Sequence, residues 1–436
     1  MLLPPLKSEF DPPQESEGSQ DPLGLQPAYE RIANRLLPAV TVRMGRPRFV
    51  TAMAVGARVC EAWKDQEIAS DGVTPPWLVF EWYVVEAFVR AANELAQGSS
   101  IPGNQKIARA IRNGRQIGAT TYLKTPTVFG YSGVYRRLAY HTGFLTDGGR
   151  LDQAGWELLG AWEKDQQLEG FIDGSKGVGQ VFREDLTDAV SVGLARGHTV
   201  HKHSDFWSEI VRRLDPAMSG PSELKILREV ITSKSGPIEL VSEIKRALIA
   251  KGGIIDRAEE ASFLQVLSRT AGTSLKQLIV AIDDYERFCR AITCAFDAVR
   301  YCAVLNKGTA VDAKMYQSIP AAQAAVSMLA PALKCLTSND ALNEWEREWL
   351  TEATEYFESV HSTSQLFETI LTYHERVQER KPPDGKRPWF ERLKPDTVFV
   401  RAGYLMKDEP ETRPAYVHEY RLPTFSRFLA DLGAYA

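Results

Sequence analysis

Apolar residues recur at helical spacing along most of the chain. Between Leu275 and Ala303 they follow one another in steps of three and four, which predicts a helix of about four heptads, on the order of 45 Å long. Additional apolar neighbours widen this stripe and favour packing in a bundle over an exposed two-stranded coiled coil. A second pattern of this kind runs from Trp349 to His374. Together the two patterns predict an antiparallel helical bundle.

The N-terminal half is also helical in pattern. The run WLVFEWYVVEAFV, residues 77–89, is apolar on nearly every face, which is typical of a helix buried inside a domain. We expect its Glu81 and Glu86 to cap a helix or to form a buried ion pair. After residue 381 the period changes, and residues 397–405 and 415–422 are strand-like runs that we expect to pair as a hairpin.

Breaks in composition divide the chain into five parts. Residues 1–27 are rich in proline and acid and are expected to form a disordered tail. A helical module over 28–170 ends at a glycine-rich break, and a linker or mixed region follows over 171–237. The helical bundle is expected over 238–380, and a basic linker with the β-hairpin over 381–436.

Composition and charge exclude several classes of protein. The 436 residues are 44% hydrophobic and 25% charged with a net charge of −4, which excludes a collagen, a mostly disordered chain and a small disulfide scaffold. The five cysteines are an odd number without CxxC spacing, which favours a reducing cytoplasm. We find no signal-peptide pattern and no stretch that is long and apolar enough to span a bilayer, so a membrane partner is not expected.

One segment departs strongly from this balanced charge. Residues 101–150 hold eight basic residues and a single acid, Asp147. Duplex DNA carries one negative charge per roughly 1.7 Å of its axis, and clustered cations gain affinity for it by releasing counterions. The basic residues of this segment are Lys106, Arg109, Arg112, Lys124, Arg136, Arg137, Arg150 and Arg115.

The order of predicted elements in this segment is informative. Helices are expected over 102–114 and 132–141, followed by two short strands around the glycine turn DGG, residues 147–149. Asp152 is expected to N-cap a last helix over 153–163. The string GFLTDGGRLDQAGWELLGAW resembles the wing and last helix of many bacterial winged-helix proteins.

This resemblance covers residues 102–163 and implies a winged helix-turn-helix DNA-binding domain. It implies a recognition helix in the major groove of double-stranded DNA and a wing on the backbone. The recognition helix would present Tyr131, Ser132, Tyr135, Arg136 and Arg137, while Lys124 and Arg150 would bind phosphates.

One departure from the family pattern is the linker GATTYLKTPTVFG, which is longer than the usual tight turn. It either holds an inserted strand or changes the angle between the two helices. A module of this fold that docks only protein is the alternative.

Two further charged segments are interpreted structurally. Residues 380–394 are basic with Trp389 and Phe390 interleaved, a combination that can bind nucleic acid, but a linker whose aromatic residues dock on the bundle is favoured. Residues 340–358 are strongly acidic and are interpreted as a solvated helix face, with contact to a basic partner subunit as the alternative.

Catalytic chemistry has one weak candidate. His198, His201 and His203 are followed by Asp205, and imidazoles at such spacing can bind zinc. No HExxH, GxSxG or phosphate-loop motif accompanies them, so an exposed loop is favoured, and we predict no metal and no cofactor. His374 falls on an apolar stripe and is expected to be a core histidine.

The predicted fold class is mainly α: an N-terminal helical, winged-helix-like module, and a C-terminal antiparallel helical bundle with a terminal β-hairpin. The predicted function is that of a non-catalytic DNA-binding or scaffold subunit in a bacterial multi-protein DNA-handling complex, serving phage defence, restriction or chromosome maintenance. Its bundle would hold protein subunits or a second copy of the chain. The alternatives are a protein scaffold without DNA contact and a metal-dependent enzyme centred on His198–Asp205.

Overall fold

The structure is a computed structural model that describes residues 21–63, 67–95, 101–308, 310–382, 384–394, 397–412 and 415–435. Over these residues the chain forms eighteen α-helices and one three-stranded antiparallel sheet, which confirms the mainly α fold class. Within these described ranges, no helix combines the length and the apolar character needed to cross a bilayer.

Two compact units make up the chain. The bundle unit consists of residues 1–33 and 261–418, and the N-terminal unit of residues 34–260 and 419–436. The five-part division drawn from composition stays a prediction. Its proposed tail falls mostly on residues 1–20, which lie outside the described residues, but Leu23 and Leu25 are buried, so the packed chain begins before residue 27.

The N-terminal unit is helical throughout its described part. The chain enters it within α1 (Gln26–Leu36) and leaves it within α12 (Arg257–Leu267). The helices between them are α2 (Phe49–Val59), α3 (Pro76–Arg90), α4 (Asn104–Arg112), α5 (Pro126–Phe129), α6 (Tyr131–His141), α7 (Gln153–Asp165), α8 (Val178–Arg196), α9 (Ser204–Leu214), α10 (Pro221–Lys234) and α11 (Ile238–Lys251), and α18 (Leu422–Asp431) returns to this unit.

α3 is the central helix of this unit. Twelve residues of α3 between Pro76 and Phe88 are buried, as the all-round apolar pattern of this helix predicts. Both glutamates of the helix are among them. Glu86 pairs with Arg90 one turn later (2.7 Å), and Glu81 caps a neighbouring helix, as described below. One glutamate therefore forms an ion pair and the other caps a helix, the two roles that were expected for them.

The bundle unit is organised around one long helix. Its elements are α13 (Thr273–Leu305), β1 (Val311–Asp312), α14 (Ala313–Gln317), α15 (Pro320–Thr337), α16 (Glu344–Phe357), α17 (Thr363–Glu379), β2 (Phe390–Lys394) and β3 (Thr397–Val400). Every position of the predicted stripe from Leu275 to Ala303 is buried, and α13 packs most extensively against α15.

The second long pattern is divided between two helices. The sequence from Trp349 to His374 has helical spacing, but α16 ends at Phe357 and α17 begins at Thr363. Ser362 stops a continuous helix because its hydroxyl accepts a hydrogen bond from the Gln365 amide (3.2 Å) and so N-caps α17.

Residues 397–400 form a strand of a C-terminal hairpin, but their partner is not the expected segment 415–422. β3 begins where expected, at Thr397, but pairs with β2 and β1 in the order β1-β3-β2. The predicted partner, residues 415–422, forms no strand over its described residues. Its backbone is occupied elsewhere, because the Val417 amide donates to buried Glu286 (2.6 Å) and the Tyr420 amide donates to buried Glu260 (2.8 Å).

The basic segment 380–394 docks on the bundle unit. The Trp389 ring stacks on Tyr404 with centroids 4.3 Å apart, and its amide donates to Nε2 of His374 (3.0 Å). Arg392 forms ion pairs with Glu368 (3.0 Å) and Glu375 (2.8 Å). The favoured interpretation, aromatic residues docked on the bundle, agrees with this packing.

Candidate nucleic-acid interface

Helix α4 presents a cationic outer face. Ile107 and Ala110 are buried on its inner side, while Lys106, Arg109 and Arg112 are exposed. These three cations are three residues apart, so they fall on one broad face of the helix. Nine helical residues rise about 13 Å, and the cations extend over most of that length.

Two more cations lie at the ends of this helix. Arg115 is exposed just past the turn that ends α4, where its amide donates to the Ala110 carbonyl (2.9 Å). Lys124 is exposed near the start of α4, because the preceding Leu123 packs against Gly103. We call these five residues the α4 surface: Lys106, Arg109, Arg112, Arg115 and Lys124.

The α4 surface has no carboxylate of its own. Within the part of the chain that the structure describes, none of its five side chains forms an ion pair, and the one hydrogen bond they make is from Arg112 to the Ala108 carbonyl (3.3 Å). Exposed cations without a carboxylate partner remain available to an external anion, and salt screens that attraction. The five are predicted site residues that the structure places together on the protein surface.

The proposed recognition helix faces the other way. α6 covers the predicted residues 132–141, but its Tyr131, Ser132 and Tyr135 are buried, with 0%, 8% and 1% of each residue exposed. The structure therefore corrects their expected exposure, since these three side chains are not presented outward as a recognition helix requires. The reason is packing, since both tyrosine rings lie against Phe49 of α2, with centroids 5.3 and 5.2 Å away.

Hydrogen bonds fix this buried face of α6. The Tyr135 hydroxyl accepts from the amides of Gly45 (2.7 Å) and Arg46 (2.8 Å). Glu81 of α3 accepts from the Ser132 amide (2.9 Å) and from the Tyr122 hydroxyl (2.6 Å). Glu81 thus satisfies an amide at the N-terminus of α6, where no residue of the helix itself can do so.

Burial changes the titration of this capping carboxylate. Desolvation raises the pKa of Glu81, and the hydrogen bonds from Ser132 and Tyr122 oppose that rise. The carboxylate is in addition pressed against Gly130, where any Cβ atom would collide with its Oε1. Glu81 therefore fixes where α6 begins.

The remaining cations of the segment lie on α6 and the loop after it. Arg136 is half-buried, with its guanidinium carbon 5.4 Å from the centre of the Trp77 ring. Arg137 and Arg150 are exposed. Arg136 and Arg137 belong to α6 and Arg150 to the turn before α7, so none of the three is part of the α4 surface.

The glycine turn at residues 147–149, called the wing-like turn below, is flanked by one bridge and not by the two short strands that were expected. Leu145 and Leu151 form a single antiparallel bridge, and the Thr146 amide donates to the Arg150 carbonyl (2.8 Å). Gly149 adopts a φ of +74° that favours glycine. The following helix, α7, is N-capped by Asp152 as expected, with its side chain accepting from the Gln153 amide (2.8 Å). The long linker, residues 118–130, contains the short helix α5, and its Gly118 forms a bridge with His198.

A cleft of about 720 Å³ opens between the wing-like turn, α6, the first turn of α7, and α2 and α3 with the residues next to them. Sequence reasoning missed it, because its walls come from four separate stretches of chain. Its lining includes three tryptophans (Trp63, Trp77, Trp156), Tyr140, and the guanidinium-bearing Arg136 and Arg150. Of these six residues, Arg150 and Trp156 belong to the string that suggested a winged helix.

The histidine cluster does not assemble. His201, His203 and Asp205 are exposed, and the Nδ1 atom of His198 lies 2.8 Å from the Thr199 carbonyl oxygen. Over the described residues these four side chains do not converge as metal ligands. The hypothesis of an enzyme centred on them has no geometric support.

A different cluster lies inside the bundle unit. Potential ligand atoms of Glu286, Cys289 and His418 lie within 4.8 Å of one another. The Glu286 carboxylate already receives hydrogen bonds from the Val417 amide (2.6 Å) and lies 2.8 Å from Nδ1 of His418, whose ring stacks on Tyr29 (4.6 Å). These contacts account for the cluster as a structural attachment of the 417–418 segment to α13.

Comparison of the chain with protein-family models, with curated proteins and with solved structures gives no match.

Proposed function

We propose that this chain is a non-catalytic, DNA-binding subunit that contacts the phosphate backbone through the α4 surface. The observation that supports this best is the set of five exposed cations without an ion pair among the described residues, in a chain whose net charge is −4. Such an array favours a polyanion, because each phosphate contact releases condensed counterions.

The geometry favours backbone contact over base reading. Tyr131, Ser132 and Tyr135 are buried, so α6 does not offer these three side chains to base edges. Lysine and arginine contacts to phosphate position a protein on the duplex without reading its sequence. We therefore expect duplex binding with weak sequence preference.

The wider proposal retains the winged-helix resemblance and the multi-protein setting. The order of α4, the α5–α6 pair, the bridged turn and α7 supports a winged-helix-like module over residues 102–163. The bundle unit exposes apolar side chains, Val280, Leu305 and Trp349, which support contact with partner subunits or a second copy. The proposed setting is a cytoplasmic bacterial complex for phage defence, restriction or chromosome maintenance.

The test is a titration of a labelled duplex of random sequence, followed by fluorescence anisotropy over a series of salt concentrations. Five phosphate contacts predict that log K falls with log salt with a slope of about −4 to −5. The triple variant Lys106→Glu, Arg109→Glu, Lys124→Glu is expected to weaken binding at low salt at least about tenfold and to flatten that slope by roughly 3.

A matched variant controls for net charge. Lys225, Lys234 and Arg246 are also two lysines and one arginine, exposed on α10 and α11 of the same unit. Their reversal to glutamate changes the total charge equally and is expected to leave most of the affinity and the slope intact. Equal losses in both triple variants would contradict the assignment to the α4 surface. Absence of duplex binding at low salt would contradict DNA contact altogether and favour docking of an acidic protein subunit.

A further inference from the structure

The aromatic cleft of the N-terminal unit has the dimensions of a small-molecule site. Its volume of about 720 Å³ falls inside the range of roughly 300–1,000 Å³ that is usual for ligand pockets. Trp63, Trp77 and Tyr140 are half-buried in its walls, and Trp156 is 41% exposed. Partly covered aromatic faces of this kind are available for stacking against a flat ligand.

One polar group that lines the cleft lacks a hydrogen-bond partner among the described residues. The Tyr131 side chain lines it and is fully buried, yet its hydroxyl has no hydrogen-bond partner among the described residues. Arg136 and Arg150 lie on the same lining. A buried hydroxyl without a partner is costly, so polar bonding capacity remains unused next to the cleft.

Two carboxylates line the cleft, Glu61 and Asp147, and their positions are compatible with a bound anion. Glu61 lines it but forms an ion pair with Arg58. Asp147 is exposed at the tip of the glycine turn. Arg136 lies over Trp77, so one cation and one aromatic face are already held next to each other.

We propose that this cleft binds a single unpaired nucleotide, with its base against the tryptophan faces and its phosphate at Arg136 and Arg150. Stacking on aromatic side chains tolerates every base, and arginine matches phosphate geometry. The nucleotide is either free in solution or the unpaired end of a strand bound at the α4 surface. The strand-bound form rests on the proposed function; the free form does not.

The first test uses isothermal calorimetry with deoxyadenosine monophosphate, deoxyadenosine and inorganic phosphate. Trp156→Ala is expected to weaken the nucleotide and the nucleoside alike, at least about tenfold, because a stacking partner is lost. Arg136→Gln is expected to weaken the nucleotide and to leave the nucleoside unchanged. The control is Trp349→Ala, which removes a tryptophan of similar exposure, 44%, that does not line the cleft.

The second test compares a blunt duplex with the same duplex carrying a single-stranded overhang. Preference for the overhang that Trp156→Ala abolishes supports the strand-bound form, and nucleotide binding without that preference supports the free form. If the intact protein neither binds the nucleotide nor prefers the overhang, the cleft proposal is overturned, whatever the blunt duplex does. Loss of duplex binding with retained nucleotide binding would overturn the proposed function alone.

Discussion

Two segments of this chain carry an excess of basic residues and have different surroundings. In residues 380–394, Arg392 is paired with Glu368 and Glu375 of the adjacent helix. In residues 101–150, five exposed cations have no such partner within the described ranges. Charge density along the sequence therefore does not decide which segment attracts an external anion. The carboxylates that the fold brings to each segment decide it.

The few carboxylates near the first segment are committed to other tasks. Glu81, which lies beside it, is buried and caps α6. Asp152 caps α7. Because these groups stabilise helix termini, they do not neutralise the α4 surface.

The largest effect at neutral pH is expected from removing Glu81, the carboxylate that caps α6 in the first segment. Glu81→Ala would leave the Tyr122 hydroxyl and the Ser132 amide without an acceptor, which should lower the free energy of unfolding by about 3 kcal/mol. Chemical denaturation measures this. Glu81→Gln keeps one acceptor and should cost less; equal stability of Glu81→Ala and the parent chain would refute the capping role.

Acid is expected to lower the free energy of unfolding through His374, which holds the docked segment 380–394. Burial lowers the pKa of His374 to about 3, and its neutral Nε2 accepts the Trp389 amide of the docked segment. Below pH 6.5 the unfolded chain binds a proton that the folded chain does not, so stability is complete above that pH. It should fall by about 1.4 kcal/mol per pH unit as the pH drops from 6.5 towards 3.

The measurement for this effect is the difference in stability between the parent chain and His374→Gln over that range of pH. The difference cancels the contributions of other acidic groups. A difference that stays constant with pH would show that His374 does not titrate as described.

A smaller effect is expected for the paired cation Arg392. Arg392→Ala should lower the free energy of unfolding by about 1 kcal/mol, since its ion pairs are partly exposed to solvent, and should leave duplex affinity unchanged. Thermal denaturation and the anisotropy titration give the two values. A loss of DNA affinity here would remove the distinction between the two segments.

The smallest effect on stability is expected at the unpaired cation Arg109. Arg109→Ala should change the free energy of unfolding by less than about 0.5 kcal/mol and should reduce the salt dependence of duplex binding by about one contact. The same two measurements apply. Together, the two variants test whether Arg392 contributes to folding stability and Arg109 to DNA affinity.

Much of the fold follows from local pattern. The stripe from Leu275 to Ala303 predicts α13, because a helix with one apolar face must bury it. The N-cap of α7 at Asp152 is equally local, since a side chain and the next turn suffice to make it. The exposure of the cations on α4 follows from the apolar Ile107 and Ala110 opposite them.

The orientation of α6 does not follow from its own sequence. Aromatic residues and arginines occur on both sides of this helix, so its period does not reveal which side is covered. The covering groups, Phe49 and the amides of Gly45 and Arg46, lie more than eighty residues earlier in the chain. The same limit applies to residues 415–422, whose strand-like pattern is overridden by the distant carboxylates of Glu260 and Glu286.

The close approach of Gly130 to Glu81 has a consequence for how this region tolerates change. Any side chain at position 130 would collide with a carboxylate oxygen and with the Pro126 carbonyl, so α6 would have to shift together with Arg136. A saturation library at this codon should return glycine alone among well-expressed clones. Even a smaller residue at position 81 would not free position 130, because the Pro126 carbonyl also occupies the space that a Cβ atom would need.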